Sequence, residues 1–419
     1  MFASWFAKKS FPLYLAGNIF YQLCFISSEI LILRIIDVEI IGIWQWALLL
    51  QSYALISRLG ILNAFNREYP YLLQRKENKE SVEILAVTKF HLSITVVLQV
   101  LVFCSLAGYY WSSGGISERV ILLFTISFYI LADSYVNFSE AIFRSKGDFK
   151  TIAITKVSFA IILLISVLIP YSMKFDGFVL RIILLQCIFL VTHYYLNKSL
   201  SNTRRFFSFS VWTALFQDGW RVWLWSYLKS FHLSLPKLYI ASFLGITALG
   251  YFTPVNWILL VFSLITSSLG SFIYPTISRK YAAGEKNLVW KTYIIYVTVF
   301  LCALPLAVLG YFILPAVIKY ILPNYVDVIG AMQLVAVSGV FDVFTLIGSS
   351  WVALRDYSRM FWMVAMMLSV RVLSLAWVHY QTDVTLLTIA KSMVFSSVFI
   401  SIVLFLIVMN QHFFRNENA

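Results

Sequence analysis

The sequence is poor in charge. Only 12% of its 419 residues are Asp, Glu, Lys or Arg, against about 25% in a soluble domain. That shortage accompanies a 61% hydrophobic share and a mean hydropathy of +0.84. It excludes an ordinary water-soluble core, which has no place for so much apolar surface. Cysteine is scarce as well. Cys24, Cys104, Cys187 and Cys302 each fall inside an apolar run, and none pairs with another at motif spacing. No disulfide framework and no metal site is expected. The histidines (His91, His193, His232, His379, His412) are scattered without metal-ligand spacing. A Gly-rich phosphate loop, a nucleophile elbow and a metal motif are all missing. No loop is long enough to hold a soluble catalytic domain. An enzyme is therefore not expected, and neither is a cofactor.

What is present is a succession of apolar runs. A spanning helix needs roughly 20 apolar residues, because the hydrocarbon layer is about 30 Å thick and each residue rises 1.5 Å. Only helices and closed barrels satisfy their backbone in lipid, and these runs are too long for barrel strands. Twelve helices are predicted, at 11–36, 41–64, 84–110, 119–143, 151–172, 176–197, 218–243, 248–276, 292–317, 327–352, 359–380 and 386–410. Lys8 and Lys9 precede a run that reaches Ile36 without a small-residue cleavage site, so the first run is a spanning helix rather than a signal peptide. With a cytoplasmic N-terminus, about 19 Lys and Arg fall in cytoplasmic segments and about five (Arg34, Arg119, Lys174, Arg181, Lys319) in external ones. The C-terminus is then cytoplasmic too. The asymmetry accounts for the net charge of +13 with membrane lipids as neighbours and no nucleic-acid partner.

The chain is expected to be an all-α polytopic membrane protein of two six-helix bundles. Residues 1–200 form the first bundle, 201–217 an interfacial linker rich in Ser, Phe and Arg, and 218–419 the second. Faint repetition supports the division. Glu39-Ile40-Ile41-Gly42-Ile43-Trp44 matches Thr247-Ala248-Leu249-Gly250-Tyr251-Phe252, and Leu59-Gly60 matches Leu269-Gly270. Six helices plus six entering alike make a parallel repeat, and such transporters bind substrate in a central cleft.

Ionisable residues at membrane depth are expensive and normally face a cavity or pair internally, unless they snorkel from a helix end. In the seventh helix Arg221, Trp225, Lys229, His232 and Pro236 follow spacings of three and four and share a face. Lys229 sits mid-helix, and Lys237 lies nearer the outer end. In the first helix Asn18, Gln22 and Glu29 share a face, with Glu29 at the repeat depth of Lys237 and expected to pair with it. The fourth helix carries Asp133, Asn137, Glu140 and Arg144 as a polar stripe. That stripe, with Glu29, either binds a coupling cation or forms a structural network; both readings stand. Arg371 in the eleventh helix and Arg58 in the second are too deep for lipid. Lys89, Lys156 and Lys391 lie near helix ends and are expected to snorkel. Because Lys and Arg outnumber Asp and Glu at depth, the cleft attracts an anionic head group, and a diphosphate suits arginine's paired donors. The expected substrate-binding set is Lys229, Arg371, Lys237, Arg58, Arg221, His232, Asn18 and Gln22.

Glu39-Ile-Ile-Gly42-Ile-Trp44 followed by Leu59-Gly60-Ile-Leu-Asn-Ala-Phe-Asn-Arg67-Glu68 resembles the second helix of bacterial polysaccharide flippases of the multidrug/oligosaccharidyl-lipid/polysaccharide (MOP) exporter superfamily. Asp218-Gly219-Trp220, Lys237-Leu-Tyr-Ile-Ala-Ser-Phe-Leu-Gly245, Ala248-Leu-Gly250-Tyr-Phe-Thr253 and Ile273-Tyr-Pro275-Thr-Ile-Ser-Arg279 are similar to helices seven and eight of O-antigen flippases. The likeness covers nearly the whole chain. It departs at Arg58, where relatives often have Asp, and at Pro236-Lys237, where they often have Asp-Arg. What the resemblance implies is transport of an undecaprenyl-diphosphate-linked oligosaccharide across a bacterial inner membrane, alongside a glycan polymerase and a chain-length regulator. Two other readings are a drug or small-solute exporter, which calls for an acidic or apolar cleft, and a membrane-embedded glycan polymerase or glycosyltransferase, which calls for a long external loop.

Overall fold

The computed structural model describes residues 10–75, 77–197, 206–262, 277, 288–354, 356–381 and 383–413. Among these residues every regular element is helical. Among the described residues nine helices are long and apolar enough to cross a membrane. In chain order the helices are α1 Ser10–Ile35, α2 Val38–Ala54, α3 Ile61–Arg75, α4 Asn78–Gly114, α5 Glu118–Ser145, α6 Phe149–Ile165, α7 Leu168–Leu196, α8 Phe209–Tyr239 and α9 Ile246–Phe262. They continue with α10 Leu288–Ile321, α11 Ile329–Phe341, α12 Ile347–Ala353, α13 Tyr357–His379 and α14 Leu386–Phe413. Long apolar side chains such as Leu101, Leu309, Phe312, Leu373 and Leu406 are exposed, as suits helices whose solvent is lipid. The chain is a multi-pass membrane protein. The expected span 248–276 is described as far as Phe262; its remainder and most of the expected span's loop lie outside the described residues.

Where helices begin and end differs from expectation in four places, each for a physical reason. The expected helix 41–64 breaks at Leu59 and Gly60, whose φ values are +47° and +79°. The backbone forces the glycine: a Cβ on Gly60 would lie 2.8 Å from the Gly219 carbonyl carbon. After the break α3 is amphipathic, with Ile61, Ala64, Phe65, Tyr69 and Leu72 buried and Asn66 and Arg67 exposed. The expected helix 151–172 ends instead at Ile165, and α7 starts at Leu168 with Pro170 in its first turn, where proline is tolerated. Lys174 interrupts α7 with φ 52° and ψ −124°. Expected linker residues 209–217 are already helical, because nothing there breaks a helix and Phe209, Trp212 and Phe216 stack along one face. The expected helix 327–352 is three pieces, α11 and α12 joined by a tight turn at Asp342–Leu346.

Two helices start on aspartate caps. Asp148 accepts from the Thr151 amide at 3.1 Å, and Asp356 accepts from the Arg359 amide at 3.2 Å, satisfying donors that a helix start leaves free. These caps stand 208 residues apart, and the interior acids Asp133 and Asp342 stand 209 apart. Both separations match the repeat read from the sequence.

The chain divides into two compact units, Met1–Leu224 and Trp225–Ala419, with the division inside α8. In the first unit α1 packs along α6, α4 along α5 and α5 along α7. Phe65, Tyr69, Leu85, Leu92, Phe138 and Ile142 form one of its cores. In the second unit α11 and α13 pack on α14 and α10 on α11, around Phe262, Ala303, Ala336 and Val340.

Candidate functional site

Each unit encloses a polar cluster. In the first unit three carboxylates expected to bind a cation each meet resident basic groups. Glu29 of α1, expected to pair with Lys237, lies 3.4 Å from Arg181 of α7 within its own unit. Arg181 is 3% exposed and also donates to Ser166 Oγ at 3.0 Å and Ser28 Oγ at 2.5 Å. The sequence reading put Arg181 in an external segment. Arg181 stands near the start of the expected helix 176–197, and because α7 begins eight residues earlier, at Leu168, that position is an interior one. Asp133 of α5 lies 3.6 Å from Arg58, whose guanidinium donates to Ser134 Oγ at 3.2 Å. Glu140 takes Arg144 at 3.2 Å and Lys156 of α6 at 3.8 Å. Lys156 also donates to Asn18 Oδ1 at 3.0 Å and lies 5.8 Å from the Tyr21 ring centre. It is an interior partner rather than the snorkelling residue expected. Asn137 and Gln22 are half-buried on the same helix faces.

A second feature of this unit fixes the start of α8. Gly219 abuts Gly60, Asp218 pairs with Arg67 at 3.1 Å, and the Trp212 indole donates to His91 Nδ1 at 3.2 Å. Arg221 is exposed, with its guanidinium 5.5 Å from the Trp220 ring centre.

In the second unit the cluster joins α8, α13 and the turn after α11. Arg371 is 1% exposed and His232 0% exposed. Arg371 Nε–H donates to His232 Nε2 at 3.3 Å. Asp342 accepts from Ser397 of α14 at 2.8 Å, and Ser397 is also 2.8 Å from Ser338. The Lys229 ammonium lies 5.7 Å from the Trp225 ring centre, within cation–π range. Trp225 rests against Gly348, a position Met363 also touches. Lys237 is half-buried immediately after Pro236. Sequence reasoning missed Asp342 and Arg181. The signal for Asp342 was available, since it occupies the repeat position of Asp133. Among the described residues no group of three or more His, Cys, Asp or Glu gathers to hold a metal.

Comparison with known proteins adds three findings. A family model described as polysaccharide biosynthesis protein matches residues 69–330. No curated protein sequence matches the chain. Among solved structures, an inward-facing multidrug resistance MATE family transporter of the MOP superfamily superposes with a TM-score of 0.75 at 14% identity, over 93% of this chain and 94% of that one. Its outward-facing counterpart gives 0.69 at 13% identity over 96% and 94%. A MOP superfamily transporter from Pyrococcus furiosus, described by a reversed polarity of its binding pocket, gives 0.67 at 15% identity over 96% and 94%. At these identities the likeness establishes a shared fold.

Proposed function

The chain belongs to the polysaccharide biosynthesis protein family, and from that premise we propose that it is a flippase for undecaprenyl-diphosphate-linked oligosaccharide. It carries a surface-polysaccharide repeat unit such as O-antigen from the cytoplasmic to the outer leaflet of a bacterial inner membrane. Alternating access is the mechanism, both termini are cytoplasmic, and no chemical bond is made or broken. The flanking steps, polymerisation and chain-length control of the glycan, belong to other membrane proteins acting beside it.

The observation that carries this reading is the excess of buried basic charge in a fold of the MATE type. In the second unit Lys229 and Arg371 share Asp342 as their acid among the described residues, and Lys237 is a further half-buried cation. In the first, Arg58, Lys156 and Arg181 are matched by Asp133, Glu140 and Glu29, with Arg144 as an exposed fourth cation, so the buried excess lies in the second unit. Fixed positive charge in a low-dielectric interior attracts an anion and repels a cation. A diphosphate head satisfies it. A cationic drug, the cargo of the alternative exporter reading, does not. Lys237 and Lys229, half-buried and thus reachable, are assigned to the diphosphate together with Arg58 and Arg221; Asn18 and Gln22 are assigned to the sugar.

The test is translocation in proteoliposomes. Labelled undecaprenyl-diphosphate oligosaccharide is placed in both leaflets, and its access to an external glycosidase is followed. Protein-dependent transfer that falls at least tenfold in Lys237→Ala, the loss of one charge-assisted contact, supports the flippase. Failure to move any of several glycans, with a cationic dye transported instead, overturns it.

A further inference from the structure

Two hydrogen bonds run in series through His91 of α4. The Trp212 indole N–H donates to His91 Nδ1 at 3.2 Å, and His91 Nε2 lies 3.2 Å from the Arg58 carbonyl oxygen. Both ends of the series are chemically fixed. An indole nitrogen can only donate and a carbonyl oxygen can only accept, so Nδ1 carries no proton and Nε2 carries one. Only the neutral imidazole, in that one tautomer, fits between them. The residue is 8% exposed, which leaves water little access to replace either partner.

The series joins three elements of the first unit. Arg58 ends the tight turn Leu55–Arg58, and the break at Leu59 and Gly60 comes directly after it, where carbonyls lack intrahelical amides. α4 closes that turn from both sides. Gln99, two helical turns after His91, donates to the Ala54 carbonyl at 3.0 Å and to Ser57 Oγ at 2.8 Å, and His91 serves the Arg58 carbonyl. Trp212 lies in the first turn of α8 and stacks on Phe209 and Phe216, against a core of Ile61, Ala64, Val87 and Leu215. α8 is also the helix inside which the two units divide. Charged side chains on the neighbouring elements are engaged elsewhere. Arg58 pairs with Asp133 of α5, Arg67 of α3 takes Glu68 and Asp218 of α8, and Arg221 of α8 lies against Trp220. Lys89 stands two residues before His91, on the other side of α4.

We propose that His91 is a proton-operated clasp on the start of α8. A proton on Nδ1 turns the acceptor of the Trp212 bond into a donor, and two N–H groups then oppose each other. That bond is lost. The bond to the Arg58 carbonyl survives, because Nε2 donates in both protonation states, and Gln99 does not titrate. The turn Leu55–Arg58 therefore stays closed while the hold on α8 weakens. The clasp is formed at high pH and released as pH falls through the range in which His91 takes up a proton. After release the start of α8 keeps its apolar seat at Leu215 and the approach of Gly219 to Gly60. It also keeps the Asp218–Arg67 pair, whose side chains are 48% and 49% exposed and hence screened by salt.

The experiment is fluorine NMR of the full-length protein in lipid nanodiscs, labelled with 5-fluorotryptophan. Trp212→Phe identifies the Trp212 resonance by its disappearance. The wild type is titrated from about pH 8 to about pH 4.5, which spans the ordinary histidine value of about 6.5. As pH falls the Trp212 resonance should move along a single sigmoid toward the position of a water-exposed indole, and it should return when the pH is restored. His91→Asn keeps an acceptor where Nδ1 stood but has no proton to gain, so its Trp212 resonance should hold its high-pH position throughout. His91→Gln takes its place, with the same expectation, if that variant fails to fold. A wild-type resonance that does not move over this range overturns the proposal. So does an equal movement in the folded His91 variant, because another group would then be titrating. No glycan lipid enters the measurement, so its failure leaves the flippase reading to its own test.

Discussion

Replacing Arg181 by methionine should be among the most damaging single changes in the first unit. The Arg181 side chain is 4% exposed and its partner Glu29 19%. Breaking a buried pair by removing one member leaves a charge without its partner, which costs about 3–5 kcal/mol. The serines soften the loss little. Ser28 and Ser166 each donate to the Leu163 carbonyl, at 3.2 and 2.7 Å, and keep those bonds when the guanidinium is gone. Most of the penalty therefore belongs to the Glu29 carboxylate. For a unit of this size about 1 kcal/mol corresponds to about 2–4 °C, so Arg181→Met should lower the melting temperature by about 10 °C. The double variant Glu29→Gln/Arg181→Met removes the stranded charge and should recover most of that fall, leaving about 1–2 kcal/mol for the lost hydrogen bonds. Thermal melts of the four proteins of this cycle in detergent measure both quantities. A double variant as unstable as Arg181→Met would refute the reasoning, because the damage would then come from lost packing and not from Glu29.

Two further changes probe how the helices are placed. Gly219→Ala drives a methyl group into the Gly60 backbone, which cannot turn aside as a side chain can; overpacking of this kind costs about 1–3 kcal/mol, and a melt within 1 °C of the wild type would show that α3 and α8 slide freely. Asp148→Ala removes the cap on α6, at 3.1 Å from the Thr151 amide, and should lower stability by about 1 kcal/mol, while Asp148→Asn keeps an acceptor and should stay near the wild type; equal losses in both would assign the effect to charge instead of capping.

The paired acids of the first unit bear on how transport is driven. A carboxylate that is to bind and release a soluble cation needs an unoccupied face. Glu29, Asp133 and Glu140 instead each have an arginine or lysine within 4 Å. An arginine or lysine already held against each carboxylate neutralises its charge and occupies oxygen atoms that a free cation would need. The structural-network reading of this stripe thus has the stronger physical support.

Composition and periodicity by themselves determined that the chain spans a membrane many times. Among the described residues each expected span has a helical counterpart, that of 248–276 as far as Phe262, because a run of about 20 apolar residues in lipid has few other ways to satisfy its backbone. The repeat was legible too, and Asp133 and Asp342 at its offset show that it reaches the interior charges. Pairing was a different matter. Arg181 read as an external charge, Lys156 as a snorkelling one, and Glu29 as a partner of Lys237. Spacing along one helix says which face a residue occupies but not which neighbouring helix turns toward that face. The early end of α6 at Ile165 brought Arg181 to Glu29, and the approach of α6 to α1 brought Lys156 to Asn18. The break at Gly60 likewise had no cause within its own stretch of sequence; it was set by Gly219, more than 150 residues away, whose backbone leaves no room for a Cβ. Lipid fixes the lengths of helices one at a time, whereas the partners of buried charges are fixed only when helices distant in sequence pack together.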